Sequence, residues 1–530
     1  MFIRKNRSCG FLTLAAGLLA ALAGTVLAQE PPAPDGVAVE PAPAPDNEPV
    51  HSKLWGVTGE KWSPSGRLPD FSFAGYHCGE QPIPDVAQRA DVKQFGAKGD
   101  GESDDTKAFK DAIEATSGGA LFVPAGKYVI KDVLTIQKSN LVLRGAGPAK
   151  TILYFPEPLN TIKPNWTKNS GGRKTSGYSW GGGFIALNGS VGAAEIGSIE
   201  PDAKRGDKRI TLQADPARPV TIGQRIQIVL TDDADKSFVK YLYSGQPGGI
   251  HNFKAGERRA QSCRITAIDG RHLTLDRPLR FDLRAAWNPR LCEFQPTVTE
   301  SGVENLTFEF PKTPYKGHFT EQGYNALNLG NVADCWLRNL RIVNADSGIF
   351  IRSTFCTVRD VMIESNRNEG GHSVGHHGIC VTGVDNLVTD FEFKAQYIHD
   401  LTVSHSTGNV LASGKGPNLA FDHHCAAPYE NLFTNIDVGA GTRIWSCGGG
   451  ANIGQHCGAR GTFWNIRARR PTGYPKNFGP LSMNFVGVQS VKGNKTKAES
   501  VWFECLPPQQ LSPQNLHEAQ LASRLAKPPK

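Results

Sequence analysis

Histidine is concentrated in one stretch of this sequence, where it could take part in acid–base chemistry. Seven of the 14 histidines lie between His372 and His424. The densest part is Asp422-His423-His424, which places a carboxylate beside two imidazoles. Histidine titrates near neutral pH, and a neighbouring carboxylate can orient its ring. Because each buried histidine needs a hydrogen-bond partner, so dense a group favours a functional site over core packing.

The residue types in and near this stretch predict separate roles. The candidate catalytic residues are His423, His424, Asp422, His377, Lys394, Arg443 and Arg460. Among them the histidines are acids or bases, the aspartate orients them, and the lysine is a second candidate base. The two arginines can bind a carboxylate through paired hydrogen bonds. The candidate substrate-binding residues are His376, Tyr397, His405, His456, Glu430, Trp180 and Tyr241.

A repeated pattern predicts the elements that position these residues. Short segments in which an apolar residue follows Asn or Asp recur at 304–308, 338–342, 359–363, 399–403, 430–434 and 464–468. A second line of strand-like segments lies at 326–329, 348–351, 378–381 and 442–445. Side chains alternate between the two faces of a strand, and one short repeat cannot bury its apolar row alone. The coils must therefore stack on one another.

Stacked coils of this kind predict an all-β fold, a single-stranded right-handed parallel β-helix. At about 4.8 Å per coil, residues 372–424 span roughly 10–15 Å of the stack. In this alignment the connections between the two strand lines fall at 385–396, 415–428 and 450–461. Long connections carry function more often than the strands do, so we expect the site at this edge.

The segment that begins at Asp91 carries a second fold signal. Residues 91–101 lead into Asp104-Asp105 and then into a short amphipathic helix with Ala108, Phe109, Ala112 and Ile113 on its apolar face. Strand-like segments follow at 129–136 and 140–144. This block resembles the start of the pectate-lyase-like, rhamnogalacturonase/epimerase-type β-helix superfamily. The resemblance implies that the helix caps the open end of a β-helix and that the two aspartates are structural.

Composition and pattern divide the chain into predicted segments. They are 1–28, a signal peptide; 29–50, a Pro/Ala-rich linker; 51–90, an N-terminal extension; 91–159, the β-helix start with the capping helix; 160–300, a β-rich insertion; 301–507, the C-terminal coils; and 508–530, a tail. The signal peptide is predicted because Arg4, Lys5 and Arg7 precede an apolar run that ends in small residues. A membrane anchor is the alternative.

The predicted signal peptide makes disulfide bonds between the cysteines an option. Ten of the 11 cysteines lie outside the predicted signal peptide, and an exported protein can form disulfides. Cys263 and Cys292 flank a predicted hairpin and could pair. The alternative is that the cysteines are small buried side chains in the stack.

The superfamily includes lyases, hydrolases, epimerases and phage tailspikes, so the fold does not define the chemistry. Together with the histidines, it predicts a secreted or periplasmic enzyme that degrades an acidic polysaccharide by β-elimination. That reaction needs a base, a group that neutralises the uronate carboxylate and an acid for the leaving oxygen. A glycoside hydrolase with two catalytic carboxylates, or a non-catalytic carbohydrate-binding protein, are the alternatives.

The predicted partner is an acidic polysaccharide, in keeping with a net charge that falls from +8 to +5 when Arg4, Lys5 and Arg7 leave with the signal peptide. No nucleic acid is expected, and no membrane after signal cleavage. No cofactor is predicted, although Zn²⁺ or Ca²⁺ remains an alternative. The residues considered for Zn²⁺ are His372, His376, His377, His423, His424 and Asp422.

Overall fold

The computed structural model describes residues 48–169, 171–367, 373–475, 477–489 and 501–526. The predicted signal peptide, residues 29–47 of the predicted linker and His372 lie outside the described residues. Within these ranges, no helix is both long enough and apolar enough to cross a membrane.

Strands dominate the N-terminal half of the chain. They are β1 (Val50–His51), β2 (Gln88–Asp91), β3 (Asp100–Asp104), β4 (Gly119–Val123), β5 (Gly126–Val129), β6 (Leu134–Ile136), β7 (Leu141–Gly145), β8 (Thr151–Tyr154), β9 (Trp166–Lys168), β10 (Lys174–Ser176), β11 (Ile185–Asn188), β12 (Val191–Gly192), β13 (Glu195–Ser198), β14 (Arg209–Thr211), β15 (Arg225–Thr231), β16 (Arg258–Asp269), β17 (His272–Leu275), β18 (Arg290–Glu293) and β19 (Gln295–Pro296).

The C-terminal half continues with strands of more regular spacing. They are β20 (Gly302–Glu309), β21 (Asn325–Ala333), β22 (Trp336–Val343), β23 (Ser347–Thr354), β24 (Thr357–Glu364), β25 (His377–Val381), β26 (Leu387–Phe393), β27 (His399–Val403), β28 (Val410–Ala412), β29 (Phe421–His423), β30 (Leu432–Asp437), β31 (Thr462–Arg467), β32 (Asn484–Val488), β33 (Trp502–Glu504) and β34 (Leu511–Ser512). The α-helices are α1 (Thr106–Ala115), α2 (Leu159–Ile162), α3 (Ser237–Leu242) and α4 (Leu516–Leu525).

Two parallel sheets form the body of the molecule. Sheet I follows the order β2-β4-β7-β20-β22-β24-β26-β28-β30-β31-β32-β33, with β3, β5 and β8 attached. Sheet II follows the order β29-β27-β25-β23-β21-β11-β6. From β20 to β30, successive strands alternate between the two sheets, as coils of a solenoid require. This confirms the predicted parallel β-helix.

The core lies between the sheets and is built from stacked positions. Leu306 pairs with Leu340, Leu340 with Val361, and Val361 with Phe391 in the neighbouring strands of sheet I. All four side chains are buried. Each coil therefore continues the apolar column of the coil before it, and burial of each side chain stabilises the stack by roughly 1.5–3 kcal/mol.

The predicted coil alignment holds as far as β25, is wrong from β26 to segment 442–445, and holds again at 464–468, where β31 lies in sheet I and Asn465 has the left-handed corner (φ 55°). Segment 399–403 is β27 of sheet II, whereas β26, which was predicted to be a connection, is the strand of sheet I in that coil. The reason is a corner residue with left-handed backbone: Asn339 and Asp360 adopt it in earlier coils (φ 51° and 54°), and Asp390 adopts it in this coil (φ 54°). Asp400 resembles these residues in sequence but lies within an extended strand.

The same error affects two later segments. In the coil of β30, Asn435 holds the left-handed corner (φ 55°). Asn431 instead belongs to a buried amide ladder in which Asn386 donates to Asn409 at 2.9 Å and Asn409 donates to Asn431 at 3.0 Å. Segment 442–445 forms turns rather than a strand, and β29 takes its expected place in sheet II.

The capping helix forms as predicted. Ala108, Phe109, Ala112 and Ile113 are the buried residues of α1. The Asp104 carboxylate accepts the Thr106 N–H at 3.0 Å, which satisfies a free donor of the first turn. Asp105 instead accepts the backbone N–H of Gly99 at 3.1 Å and so fixes the preceding turn. Both contacts are structural.

The β-rich insertion is an antiparallel sheet in the order β13-β18-β15-β16-β17-β14. β11 lies inside the predicted 160–300 segment but belongs to sheet II, and the strands of the six-stranded antiparallel sheet begin after it, at β13. Cys263 of β16 and Cys292 of β18 lie on opposite sides of β15 and therefore cannot pair. All ten described cysteines are free thiols.

A buried group of ion pairs joins the insertion to the β-helix. Asp385 binds Arg277 at 2.7 Å and Arg280 at 2.5 Å, and all three side chains are almost inaccessible to water. Arg280 also lies 3.4 Å from Glu430. The Asp385 carbonyl accepts the Gly75 N–H at 2.8 Å, which brings the N-terminal extension to the same point. We call the four charged residues the Asp385 network.

The N-terminal extension and the tail cover the outer face of sheet I together. β1 pairs with β34, and the buried side chains of Trp55 and Phe71 share a cluster with Trp464 of sheet I. His517 of α4 is buried and its Nδ1 lies 3.0 Å from the Phe71 carbonyl. Burial lowers the pKa of His517 to about 4, with the positive charge of Arg524 adding to the effect and Asp70 opposing it.

Asp385→Asn is expected to lower the free energy of unfolding by about 3–5 kcal/mol, because it leaves the buried Arg277 guanidinium without a charge partner and Arg280 with Glu430 alone. Asparagine tolerates the left-handed backbone of this position (φ 53°), so the charge alone changes. Asp390→Asn is the matched control, since Asp390 has the same backbone region and an exposed side chain, and its effect is expected within about 0.5 kcal/mol. Denaturant unfolding measures both, and equal effects would contradict the structural role of the network.

His517→Asn is expected to weaken the dependence of stability on pH. The unfolded histidine binds a proton near pH 6.5 and the folded one only near pH 4, so its contribution is complete above pH 6.5 and is lost as the pH falls to 4. The loss is at most about 3 kcal/mol. Thermal unfolding between pH 4 and 7 measures it, with the exposed His272→Asn as the control. A variant whose stability falls between pH 7 and 4 by as much as that of the wild type would refute this assignment.

Candidate functional site

The outer face of sheet II positions the candidate site. His377 pairs with His399, and Thr402 pairs with Asp422, across β25, β27 and β29. Side chains alternate along β29, so Phe421 packs into the core while Asp422 lies on the outer face. The alternation continues beyond the strand and brings His424 to the outer face as well.

His423 takes the inward position of this alternation. Its ring centroid lies 4.9 Å from Phe478, 5.1 Å from Phe433 and 5.4 Å from Phe463. Its Nδ1 donates to the Phe421 carbonyl at 3.1 Å, and burial lowers its pKa to about 4. The geometry therefore argues against the catalytic role predicted for His423, because its ring is part of the core.

Six side chains form what we call the histidine cluster: His318, His376, His377, His399, Asp422 and His424. Ring centroids are 4.1 Å apart for His376 and His377, and 5.0 Å for His377 and His399. His399 and His424 are 5.3 Å apart. Of the predicted site residues, the structure brings together His376, His377, Asp422 and His424.

Asp422 is the anionic centre of the cluster. Its Oδ2 accepts from His424 Nδ1 at 2.8 Å, and its Oδ1 accepts the Gly448 N–H at 2.7 Å. Burial alone would raise the pKa of Asp422, but the His424 hydrogen bond and the neighbouring His399 bring it to about 2. Asp422 is therefore an ionised carboxylate that fixes one nitrogen of His424, whose side chain is 24% exposed.

Thr402 connects His377 to the same carboxylate. The Thr402 hydroxyl donates to Asp422 Oδ2 at 3.1 Å and lies 3.0 Å from His377 Nδ1. An ionised carboxylate only accepts hydrogen bonds, so the Thr402 hydroxyl donates to Asp422 and its oxygen accepts a hydrogen bond from the Nδ1–H of His377. Burial holds the pKa of His377 well below its ordinary value, so the ring is neutral with its proton on Nδ1.

His376 and His399 differ from the other buried histidines. Their four ring nitrogens are buried and have no hydrogen-bond partner in the described part of the chain. His376 Nδ1 lies 3.6 Å from Glu321, which is beyond hydrogen-bond distance, and His399 Nδ1 lies 3.2 Å from Asp422 without forming a hydrogen bond. Such unpaired buried groups are rare in proteins and require an explanation.

An irregular loop between β20 and β21 brings His318 to the cluster. Glu321, within the loop, accepts from Ser179 and from Tyr315, each at 2.6 Å. Burial raises the pKa of Glu321 despite these hydrogen bonds. The loop end is fixed where Asp346 accepts the Gly323 N–H at 3.0 Å. The position of His318 therefore depends on buried polar contacts rather than on strand pairing.

Exposed aromatic rings continue the site beyond His318. The His318 ring stacks on Phe319 at 3.7 Å, and Phe319 lies 6.0 Å from Trp180. Trp180 is 38% exposed. This places the predicted substrate-binding residue Trp180 beside the cluster, with an aromatic face available for a ligand.

Arg443 and Tyr397, two of the predicted residues, hold the backbone before β27 through contacts inside the protein. The Arg443 guanidinium donates to the Tyr397 carbonyl at 2.6 Å and to Asp400 at 2.8 Å. Tyr397 is buried, and its hydroxyl donates to the Ala345 carbonyl at 3.2 Å. Burial raises the pKa of Asp400 to about 6, although Arg443 opposes the shift. Because these groups pair with one another, the geometry does not support direct contact of Arg443 or Tyr397 with a substrate.

Glu430 belongs to the Asp385 network, and Arg460 binds Glu430 there rather than joining the cluster. Arg460 Nε binds Glu430 at 2.7 Å, and Arg205 of the insertion binds the same carboxylate at 2.9 Å. Glu430 is 1% exposed. The roles predicted for both residues in binding a ligand are therefore not supported, since their charged ends are already paired inside the protein.

The remaining predicted residues also lie apart from the cluster. Lys394 follows β26 of sheet I, a consequence of the shifted coil alignment. His405 contacts Arg259 of the insertion at 2.8 Å, and His456 Nδ1 lies 3.1 Å from the His423 carbonyl. Tyr241 packs on Trp287 within the insertion, with ring centroids 5.0 Å apart. Their predicted roles remain predictions.

Several site residues were not among the predicted ones. His399 could have been found from the similarity of 377–381 and 399–403, in which a histidine opens each strand. Arg352 lies in the same outward row as Thr382, Ser404 and His424, and its side chain is exposed. His318 and Glu321 carry no repeat signal, because their loop is irregular.

Residues 90–177 match the family described as Rhamnogalacturonase A/epimerase, pectate lyase-like. This segment is similar to members of that family. It contains α1 and the first coils, and it is the block on which the resemblance was predicted, so that prediction is confirmed.

Curated relatives match only short parts of their own length. An alginate lyase of Azotobacter vinelandii is 35% identical over 96 residues, which is 16% of this chain and 11% of the relative. A mannuronan C5-epimerase of the same organism is 39% identical over 97 residues, or 16% of this chain and 5% of the relative. The preneck appendage protein of Bacillus phage PZA is 37% identical over 101 residues, or 19% and 11%.

Solved structures with similar architecture are distant. The tailspike protein gp49 of Pseudomonas phage LKA1 has a TM-score of 0.41 and 13% identity over 72% of this chain and 64% of the tailspike. An exopolygalacturonase of Thermotoga maritima has a TM-score of 0.31 and 12% identity over 77% of this chain and 83% of the enzyme. The fold assignment depends on the strand pairing described above.

Diethyl pyrocarbonate is expected to modify His318 and His424 in the folded protein while His377 and His423 are protected. The reagent needs an accessible, neutral ring nitrogen, and the first two rings reach solvent while the other two are buried. Peptide mass spectrometry after brief labelling measures each site, with exposed His272 as the positive control. Modification of His423 at the rate of His424 would refute the inward orientation of its ring.

Proposed function

We propose that this protein is a secreted enzyme that cleaves an acidic polysaccharide by β-elimination, with the histidine cluster as its active site. The Asp422–His424 pair carries the proposal: a buried, ionised carboxylate orients an imidazole that reaches solvent. Such a pair is suited to remove a proton from a bound substrate. Secretion, predicted from residues 1–28, is part of the same proposal.

The surroundings of His424 suit a sugar chain. Trp180 and Phe319 offer aromatic faces on which pyranose rings can stack, on the side of the cluster where His318 lies. Arg352 lies three strand spacings from His424 in the outward row, about 14 Å at 4.8 Å per strand. A uronate chain that runs across the strands would place one sugar at His424 and another carboxylate at Arg352.

The carboxylates favour elimination over hydrolysis. A glycoside hydrolase normally needs two carboxyl groups that flank the scissile bond. The carboxylates in contact with the cluster histidines, among the described residues, are Asp422 and Glu321, which are 0% and 1% exposed. Both are already engaged by protein donors. The relatives include an alginate lyase by name, which agrees with a uronic-acid substrate.

His424→Ala and Asp422→Asn are each expected to lower kcat by about 10²–10⁴-fold, because the first removes the proposed base and the second its orientation. The assay follows the ultraviolet absorbance of the unsaturated product on alginate, polygalacturonate and glucuronan. His272→Ala, on the insertion hairpin, is the matched control and should retain full activity.

Three outcomes would contradict this proposal. New reducing ends without ultraviolet absorbance would indicate hydrolysis. Retention on an immobilised polysaccharide without any product would indicate a binding protein. Full activity of His424→Ala would show that another residue is the base.

A further inference from the structure

The unpaired nitrogens of His376 and His399 are the feature of the site that the proposed function leaves unexplained. His376 is 0% exposed, and neither of its ring nitrogens has a hydrogen-bond partner among the described residues. The same is true of His399, which is 5% exposed. Leaving a buried polar group unpaired destabilises a protein by about 1–3 kcal/mol, so a ligand for these nitrogens is expected.

His318 supplies a third imidazole, and the three rings together have the spacing of a metal-binding site. One ring nitrogen from each of His318, His376 and His399 lies within 4.8 Å of the other two. Tetrahedral zinc with Zn–N bonds of about 2.0–2.1 Å would bring the nitrogens to about 3.4 Å from one another. His318 lies on an exposed loop, so a small movement of its side chain can close the set.

The two buried rings also have the outer partners that metal-binding histidines usually have. Glu321 Oε1 lies 3.6 Å from His376 Nδ1, and Asp422 Oδ2 lies 3.2 Å from His399 Nδ1. In each ring Nδ1 is thus close to a carboxylate, and in metal-binding histidines a carboxylate at one ring nitrogen leaves the other nitrogen for the ion.

We propose that His318, His376 and His399 bind one divalent transition-metal ion of the zinc class. Three neutral imidazoles suit zinc, cobalt, nickel or copper, whereas calcium prefers oxygen ligands. A three-histidine set leaves a coordination position free for water or a substrate oxygen. The inference concerns the site of the proposed function but does not depend on it, because metal binding is measured without a substrate.

In a second group of residues with metal-ligand spacing, the side chains already bind one another and their protein neighbours. His77, Glu300 and Asp334 also lie within 4.8 Å of one another. Tyr76 donates to Glu300, His77 Nε2 lies 2.6 Å from the same carboxylate, and Arg225 pairs with Asp334. This set has no unpaired buried nitrogen to explain, so it serves as the comparison site in the experiment.

The experiment titrates the chelator-treated full-length protein with Zn²⁺ by calorimetry and with Co²⁺ by visible absorption. We expect one ion per chain and a cobalt spectrum typical of tetrahedral nitrogen coordination. His318→Ala, an exposed substitution that should not disturb folding, and His376→Phe are expected to raise Kd at least about 100-fold. Glu321→Gln, a positioning change, should raise Kd about 10–100-fold. His77→Phe is the matched control and should bind as the wild type does.

Zinc should also protect His318 from diethyl pyrocarbonate and leave His272 reactive, a readout that is independent of activity. The absence of saturable binding at one ion per chain would overturn the proposal, and so would unchanged affinity in His318→Ala and His376→Phe. Loss of binding in His77→Phe alone would assign the ion to the comparison site and would also overturn it. Lyase activity in chelated protein that shows no zinc binding would refute the metal site and leave the proposed function standing.

Discussion

The in-register stacking of β25, β27 and β29 is the constraint on which the histidine cluster depends. Parallel pairing brings equivalent residues of successive coils to about 4.8 Å, so a histidine or aspartate in one coil lies beside its counterpart in the next. Asp422 and His424 are outward because Phe421 and His423 are inward. A slip of one residue would exchange the two pairs and place the carboxylate in the core.

The site also depends on side chains that strand pairing does not position. His318 and Phe319 come from an irregular loop that Glu321 and Asp346 hold through buried hydrogen bonds. Arg443 fixes the backbone before β27 from below. The reactive face is thus assembled from a rigid sheet and a loop whose conformation is determined by polar contacts. A rigid scaffold with functional loops is typical of binding and catalytic sites.

Much of the fold followed from the sequence, because stacked coils repeat their apolar residues and the capping block has a specific pattern. The coil alignment failed at β26 because Asp390 and Asp400 are the same residue type, and only backbone geometry separates the corner residue from the strand residue. The Asp422–His424 pair was predictable, since it is local. The ion pairs of Arg460 and Glu430 were not predictable, because their partner Arg205 is distant in the chain and no periodic pattern connects them.

The Asp385 network makes the insertion and the β-helix coils depend on each other for charge balance. Its charges come from the insertion, from the corner that precedes β26 and from the coil that precedes β30. A recombination event that replaced only the insertion would separate two buried guanidinium groups from the carboxylate that compensates them. The insertion and the coils that carry Asp385 and Glu430 are therefore compatible only as a matched set, since either part alone contains buried charges without partners.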